Sequence, residues 1–402
     1  MEQLIKYITR FEIWVSHKRI AIIVSFISAI ILSLFSYILN NQAMFTGEDL
    51  NQFTWMQMLK HKLGIEEQIP KDNVLFVNVA YDKQLIDFND EYNITVGNTD
   101  ITDREKLLRF LRILNKTKQY AYIFLDIRFE KGYNVPETDS LLFSEIAAMK
   151  NIVVANHSDM EIADSSLLIK SAINDYDVTV FSTNFVRYLF TYNNEMSMPL
   201  YAYKELTGNS INKCGFVYTC NGRLCYNSLF IDFPIENFGE FNDDNRKLCY
   251  NLGSDLLDCY TEQDIATLTK GKYIVIGNLI DDLSDTYSGA KPGSVITYYA
   301  FLALMDGKHF VKMCLVVLMA VVYFLISIMQ FSHRSLLELI PCIRRSKSKP
   351  LHFIISFLGY TLLLFFIVVI LNIFWNTSTS IILPSFYFAI QKNIIKYKRT
   401  KL

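Results

Sequence analysis

Residues 121–156, AYIFLDIRFEKGYNVPETDSLLFSEIAAMKNIVVAN, hold two short apolar runs on either side of a helix-length stretch. Ala121 to Ile127 reads as a strand, Asp139 to Met149 as a helix, and Asn151 to Asn156 as a strand of the fully buried type. Upstream lie the strand Val74 to Ala80 and the helix Asp103 to Lys118, with Leu107, Leu108, Leu111 and Leu114 at helical spacing. The resulting β-α-β-α-β order predicts a largely parallel sheet covered by helices.

Downstream the rhythm changes. Asp177 to Tyr192 reads as a polar and aromatic strand pair, and Pro199 to Leu206 as a helix. Gly215 to Thr219 and Leu224 to Phe233 flank Asn221-Gly222, a hairpin signal because both turn residues tolerate positive φ. The strand Lys272 to Gly277, a loop over Asp285 to Gly293 and the helix Ser294 to Met305 complete the pattern. The expectation is one α/β domain with a mixed sheet over residues 41–310. Its lead, Asp49 to Leu63, reads as a helix lying near a membrane surface or equally as an ordinary domain helix.

Apolar runs bracket this domain. Ile20 to Leu39 carries no charge and is long enough to cross about 30 Å of hydrocarbon. It follows Lys6, Arg10, Lys18 and Arg19, and it is too long for the core of a cleaved signal peptide, so it is expected to persist as an anchor. Met313 to Phe331 and Leu351 to Trp375 are two more charge-free runs, separated by a loop with Arg334, Arg344, Arg345, Lys347 and Lys349. Ile381 to Ile390 is shorter, contains Pro384, and leads into a tail with Lys392, Lys396, Lys398, Arg399 and Lys401. It reads as a short fourth crossing or as an interfacial piece.

The expected layout is therefore a cytoplasmic arm (1–19), a first span (20–40), an extracytoplasmic domain (41–310), a second span (311–331) and a basic cytoplasmic loop (332–350). A third span (351–375), a short fourth (379–393) and a basic cytoplasmic tail (394–402) follow. Positive charge on the arm, loop and tail places all three on one side and the domain on the other. That corresponds to a multi-pass protein of a bacterial inner membrane, with about four helices in the bilayer, one N-terminal and three C-terminal.

The 402 residues include 39 Lys and Arg against 40 Asp and Glu, which leaves no electrostatic footprint for nucleic acid. The centres of the three longer spans lack ionisable residues, which disfavours ion-coupled transport.

Three motifs, in order, carry a resemblance. The first is Thr102-Asp103-Arg104 with Phe124-Leu125-Asp126-Ile127-Arg128-Phe129. The second is Asp139-Ser140-Leu141-Leu142 with Ile152-Val153-Val154-Ala155. The third is Gly271-Lys272-Tyr273-Ile274-Val275-Ile276-Gly277 with Asp285 and Pro292-Gly293. Placed between one N-terminal and three C-terminal spans, they resemble the CHASE2 family of extracytoplasmic sensory domains. The resemblance covers nearly the whole chain and implies a sensor that signals through a separate membrane or cytoplasmic partner, since the family's usual cytoplasmic output domain is not recognisable here. A homo-oligomer is compatible with it, and a scaffolding role in an envelope complex is the alternative.

Asp126, Asp139 and Asp285 stand at or just beyond strand ends, where α/β sheets place ligands, although caps and loop closure are the stronger account of Asp at such positions. Gly271, Lys272, Gly277, Pro292 and Gly293 read as structural. Gly271-Lys272 is not a P-loop, because the remaining glycines and the Ser/Thr that cradle phosphate are missing. The six His residues are scattered, so no metal site, cofactor or catalytic residue is expected, and enzymatic activity is the remotest reading. Cys220 and Cys225 flank the Asn-Gly turn and suit a disulfide in an oxidising compartment.

Overall fold

The computed structural model describes residues 2–41, 48–65, 73–89, 94–133, 135–157, 161–168, 170–175, 185, 187–192, 195–231, 242–243, 246–286, 289–331, 349–375 and 380–401. The chain divides into two compact units. One comprises residues 61–310, and the other residues 1–60 together with 311–402.

The 61–310 unit is built on six strands: β1 (Val74–Asn78), β4 (Tyr122–Asp126), β5 (Ile152–Asn156), β6 (Ser171–Ile173), β12 (Cys249–Asn251) and β13 (Tyr273–Gly277). Their spatial order is β12-β1-β13-β4-β5-β6, and every neighbouring pair is parallel. The mixed sheet expected from the sequence is therefore not what forms. The antiparallel segments make small ribbons of their own: β2 (Lys83–Asn89) with β3 (Thr95–Thr102), β8 (Ile211–Cys214) with β9 (Val217–Cys220) and β10 (Arg223–Cys225), β7 (Arg187–Leu189) with β11 (Ser228–Phe230), and β14 (Leu283–Thr286) with β15 (Gly289–Pro292). These ribbons pair within themselves and stay outside the parallel ladder. Much of the strand pair expected over residues 177–192 lies outside the described residues.

Because side chains alternate along a strand, each central strand contributes to two layers. Leu75, Val77, Ile123, Leu125, Ile152, Val154, Ile274 and Ile276 face α3 (Arg104–Thr117), α4 (Pro136–Ala148) and α6 (Glu262–Thr269), burying Leu107, Leu111, Leu114, Leu142, Ile146 and Ile265. Asp103 caps α3 by accepting the Lys106 N–H at 3.0 Å. Helix α4 starts at Pro136, three residues before the expected Asp139, because proline suits a first helical turn. On the opposite face Phe76, Phe124 and Tyr273 meet Tyr298 and Phe301 of α7 (Gly293–Met305), with ring centroids 5.1–6.1 Å apart. Helix α5 (Met198–Thr207) packs beside α7 on this side.

The other unit contains α1 (Glu2–Asn40), most of α2 (Glu48–Leu63), α8 (Met313–Phe331), α9 (Lys349–Trp375) and α10 (Ile382–Lys401). Among the described residues, three stretches are long and apolar enough to cross a membrane: Arg19–Asn40, Met313–Phe331 and Phe353–Leu371. Helix α1 runs unbroken through the expected arm and span. Helix α10 is longer than the expected 379–393, and the basic loop expected at 332–350 lies almost wholly outside the described residues. Leu351, Ile354, Leu358, Leu362, Phe366 and Ile370 form one exposed apolar stripe along α9, while Leu364 and Val368 turn inward onto Tyr323 and Phe388. The interior of this bundle is partly polar. Ser327 Oγ donates to Ser25 Oγ at 3.0 Å and accepts from Gln391 Nε2 at 2.7 Å, and Ser36 and Tyr323 share a hydrogen bond of 3.1 Å. These bonds join α1, α8 and α10 without burying a charge.

Candidate site at the carboxyl edge of the sheet

β1 and β4 both lead toward helices on the first face, α3 and α4. β13, which lies between them, leads through residues 278–292 to α7 on the second face. A sheet parts its connections at such a switch point, and a crevice opens beyond the carboxyl ends of the strands.

Asp126 closes β4 in register with Gly277 of β13. Its side chain lies on the second face with Tyr122 and Phe124, below the start of α7. Asn174, just past β6, donates to Asp126 Oδ1 at 2.8 Å. The Asn174 carbonyl in turn accepts the hydroxyls of Thr297 at 2.6 Å and Tyr188 at 3.1 Å, so three elements fix the amide that orients the carboxylate. Burial raises Asp126 from 3.8 to about 6, and nearby Asp282 adds to the effect, while His157 and the Asn174 bond oppose it.

Gly277 is glycine for a steric reason. A Cβ there would stand 3.0 Å from both Cβ and Oγ of Ser294 and 3.4 Å from the Asp126 Cβ. Ser294 occupies the first turn of α7, is only 1% exposed, and its Oγ has no hydrogen-bond partner. Asp282 stands at the same helix start. Its backbone carbonyl accepts the Gly293 N–H at 3.0 Å, and its Oδ2 lies 3.1 Å from where a Gly293 Cβ would sit. Negative charge is favoured at a helix N-terminus, but loss of solvent around the carboxyl still raises its pKa, against the pull of His157 and Arg128. Next to β5, His157 Nδ1 and Asp175 Oδ1 are 2.7 Å apart.

Of the three Asp residues expected near a ligand, the structure puts only Asp126 here. Asp139 is buried in α4, where Oδ2 accepts the Val135 N–H at 2.7 Å and Oδ1 faces Arg104 Nε at 3.3 Å. Arg104, 1% exposed, also lies 4.5 Å above the Phe129 ring, so this pair ties α3 to α4. Asp285 is exposed on β14, opposite Ala290, and its backbone oxygen accepts the Phe185 N–H. Gly271 and Lys272 sit at the other end of β13. The Gly271 N–H donates to Gln119 and the Lys272 carbonyl accepts from Ala121, both backbone bonds that close a turn. Pro292 and Gly293 open α7.

The Asn221-Gly222 turn forms with φ of 49° and 72°, and no disulfide joins Cys220 to Cys225 in the structure. Cys220 pairs across the ribbon with Arg223, and Cys225 with Tyr218. The two cysteines are thus diagonal neighbours, about 7–8 Å apart, at or beyond the reach of a disulfide.

Sequence reasoning missed Asp282, Ser294, Asn174 and His157. The available signal was position: each follows a strand end or begins a helix on the carboxyl side of the sheet. Among the described residues, no group of three His, Cys, Asp or Glu could hold a metal ion. Comparison with protein-family models, curated proteins and solved structures returned no match.

Proposed function

We propose that the chain is a membrane-anchored sensor or receptor subunit of the CHASE2 type, whose α/β domain lies outside the cytoplasm, binds a small ligand at the carboxyl edge, and signals through a partner. The observation that carries this reading is the position of Ser294. It lies against Gly277 at the start of α7, and α7 is joined to the membrane-length helix α8 by residues 306–312 alone. A ligand held against the first turn of α7 would act on an element covalently continuous with the bilayer segment. Binding is favoured over catalysis because the Ser294 hydroxyl makes no hydrogen bond to a base among the described residues. In this reading α10 is a fourth crossing, which returns its basic C-terminal end to the side of the N-terminus.

Reporter fusions at Asn209, Lys347 and Leu402 in a bacterial host test it. Position 209 should report outside, and 347 and 402 inside. A cytoplasmic signal at 209 overturns the sensor reading, whereas disagreement at 402 alone removes only the fourth crossing.

A further inference from the structure

Three other carboxylates of the domain have cations beside them. Asp139 faces Arg104 at 3.3 Å, Asp82 takes Lys106 at 2.7 Å and Asp255 takes Lys247 at 2.8 Å. The crevice departs from this pattern. Asp126 receives one hydrogen bond from the neutral amide of Asn174, and the Asp282 carboxylate has no hydrogen bond or ion pair among the described residues. The charged neighbours are Arg128 and the His157–Asp175 pair, and among the described residues no basic group lies within ion-pair distance of Asp126 or Asp282. Two carboxylates that share a partly desolvated edge, with His157 and Arg128 acting on them only from beyond contact distance, leave that edge short of positive charge. Between them the buried Ser294 Oγ lies against Gly277, on the Asp126 side, with its hydrogen-bonding capacity unused. An anion would meet two carboxylates, and the described residues do not assemble a metal-binding set.

We propose that this crevice takes a small organic cation of the primary-amine class, whose ammonium N–H groups are accepted by Asp126, Asp282 and the Ser294 hydroxyl. An ammonium presents three donors from one point, which suits acceptors converging from β4, the β13–β14 loop and the start of α7. Asn174 is a positioning residue, holding Asp126 toward the ligand through its own bonds to Thr297 and Tyr188. The inference rests on the crevice being the ligand site of the proposed sensor.

Isothermal titration of the full chain in lipid nanodiscs, with putrescine, glucose, citrate and MgCl2 as separate probes, tests it. Putrescine should bind. Asp126→Asn and Asp282→Asn should each weaken it by about tenfold, the loss expected for one charge-assisted hydrogen bond. Asp285→Asn should bind as the wild type does. Asp282 is exposed, so its variant should fold even if Asp126→Asn does not. Putrescine binding unchanged in Asp282→Asn overturns the proposal, as does displacement of putrescine by Mg2+ at the same carboxylates. Binding of glucose or citrate but not putrescine, weakened by Ser294→Ala, overturns the cation class while leaving the crevice as a ligand site. No binding by any probe overturns both readings.

Discussion

Asp126 and Asp139 stand thirteen positions apart in one βα unit, yet their surroundings give them opposite roles. Asp139 is held by a buried guanidinium and a backbone N–H, whereas Asp126 has only neutral hydrogen bonding. Because Asp126 is raised from 3.8 to about 6, the folded state holds its proton more tightly than the unfolded state does. Its contribution to stability is therefore fully present below about pH 4 and lost as the pH rises through about 6, on the order of 1–2 kcal/mol for a partly exposed carboxyl. Melting curves from pH 4 to 7 should show Asp126→Asn with a shallower decline than the wild type, and an unchanged slope would contradict the assignment. Asp282 and Asp139, also raised, contribute with the same sign and keep the remaining slope from vanishing. Gly277 offers a second check. Its missing Cβ leaves the room that Ser294 fills, so Gly277→Ala should cost about 1–3 kcal/mol by overpacking, and adding Ser294→Gly should recover part of the loss in denaturant titrations. Neither role was legible in the sequence, where Asp126 resembled Asp285 and Ser294 was one hydroxyl among many. What separates these residues is which chain segments cover them, and those segments come from distant parts of the chain.

Helices and strands were far more legible, because each is encoded in its own residues. Leu107, Leu111 and Leu114 announce α3, and the runs at 122–126, 152–156 and 273–277 announce strands buried on both faces. The boundaries shifted where local chemistry intervened, as at Pro136. Contacts between elements were not announced, and the Arg104–Asp139 pair is the clearest case. Arg104→Ala should destabilise the domain by about 3–5 kcal/mol, since it strands a buried carboxylate, while replacing both partners by apolar residues should be much milder. Urea midpoints for the single and double variants would show this directly, and equal losses in the two would refute it. Within the membrane-length helices the polar contacts are individually weaker. Gln391→Leu removes the bond to Ser327 and should lower helix-bundle stability by only about 0.6 kcal/mol in a mild-detergent unfolding assay, the typical worth of such bonds.

At the scale of the molecule, hydropathy revealed the division into an apolar helical unit and a central α/β unit, because bilayer thickness imposes a length that sequence alone displays. The order of the strands stayed hidden, since no local signal says that β13 enters between β1 and β4. All six sheet strands and both covering layers fall within residues 61–310, so this segment, produced alone, should unfold in one cooperative transition by circular dichroism. A broad, non-cooperative melt would mean that the sheet depends on the helical unit. The late arrival of β13 also bears on how the protein is made. β1 pairs only with β12 and β13, at Cys249–Asn251 and Tyr273–Gly277. During translation Val74–Asn78, an apolar strand with both edges unpaired, must therefore wait for nearly the whole domain to follow it. Over that interval the nascent chain carries an adhesive segment beside its first apolar helix, and the speed of synthesis beyond residue 250, or a chaperone that shields the strand, would govern how much of it escapes aggregation.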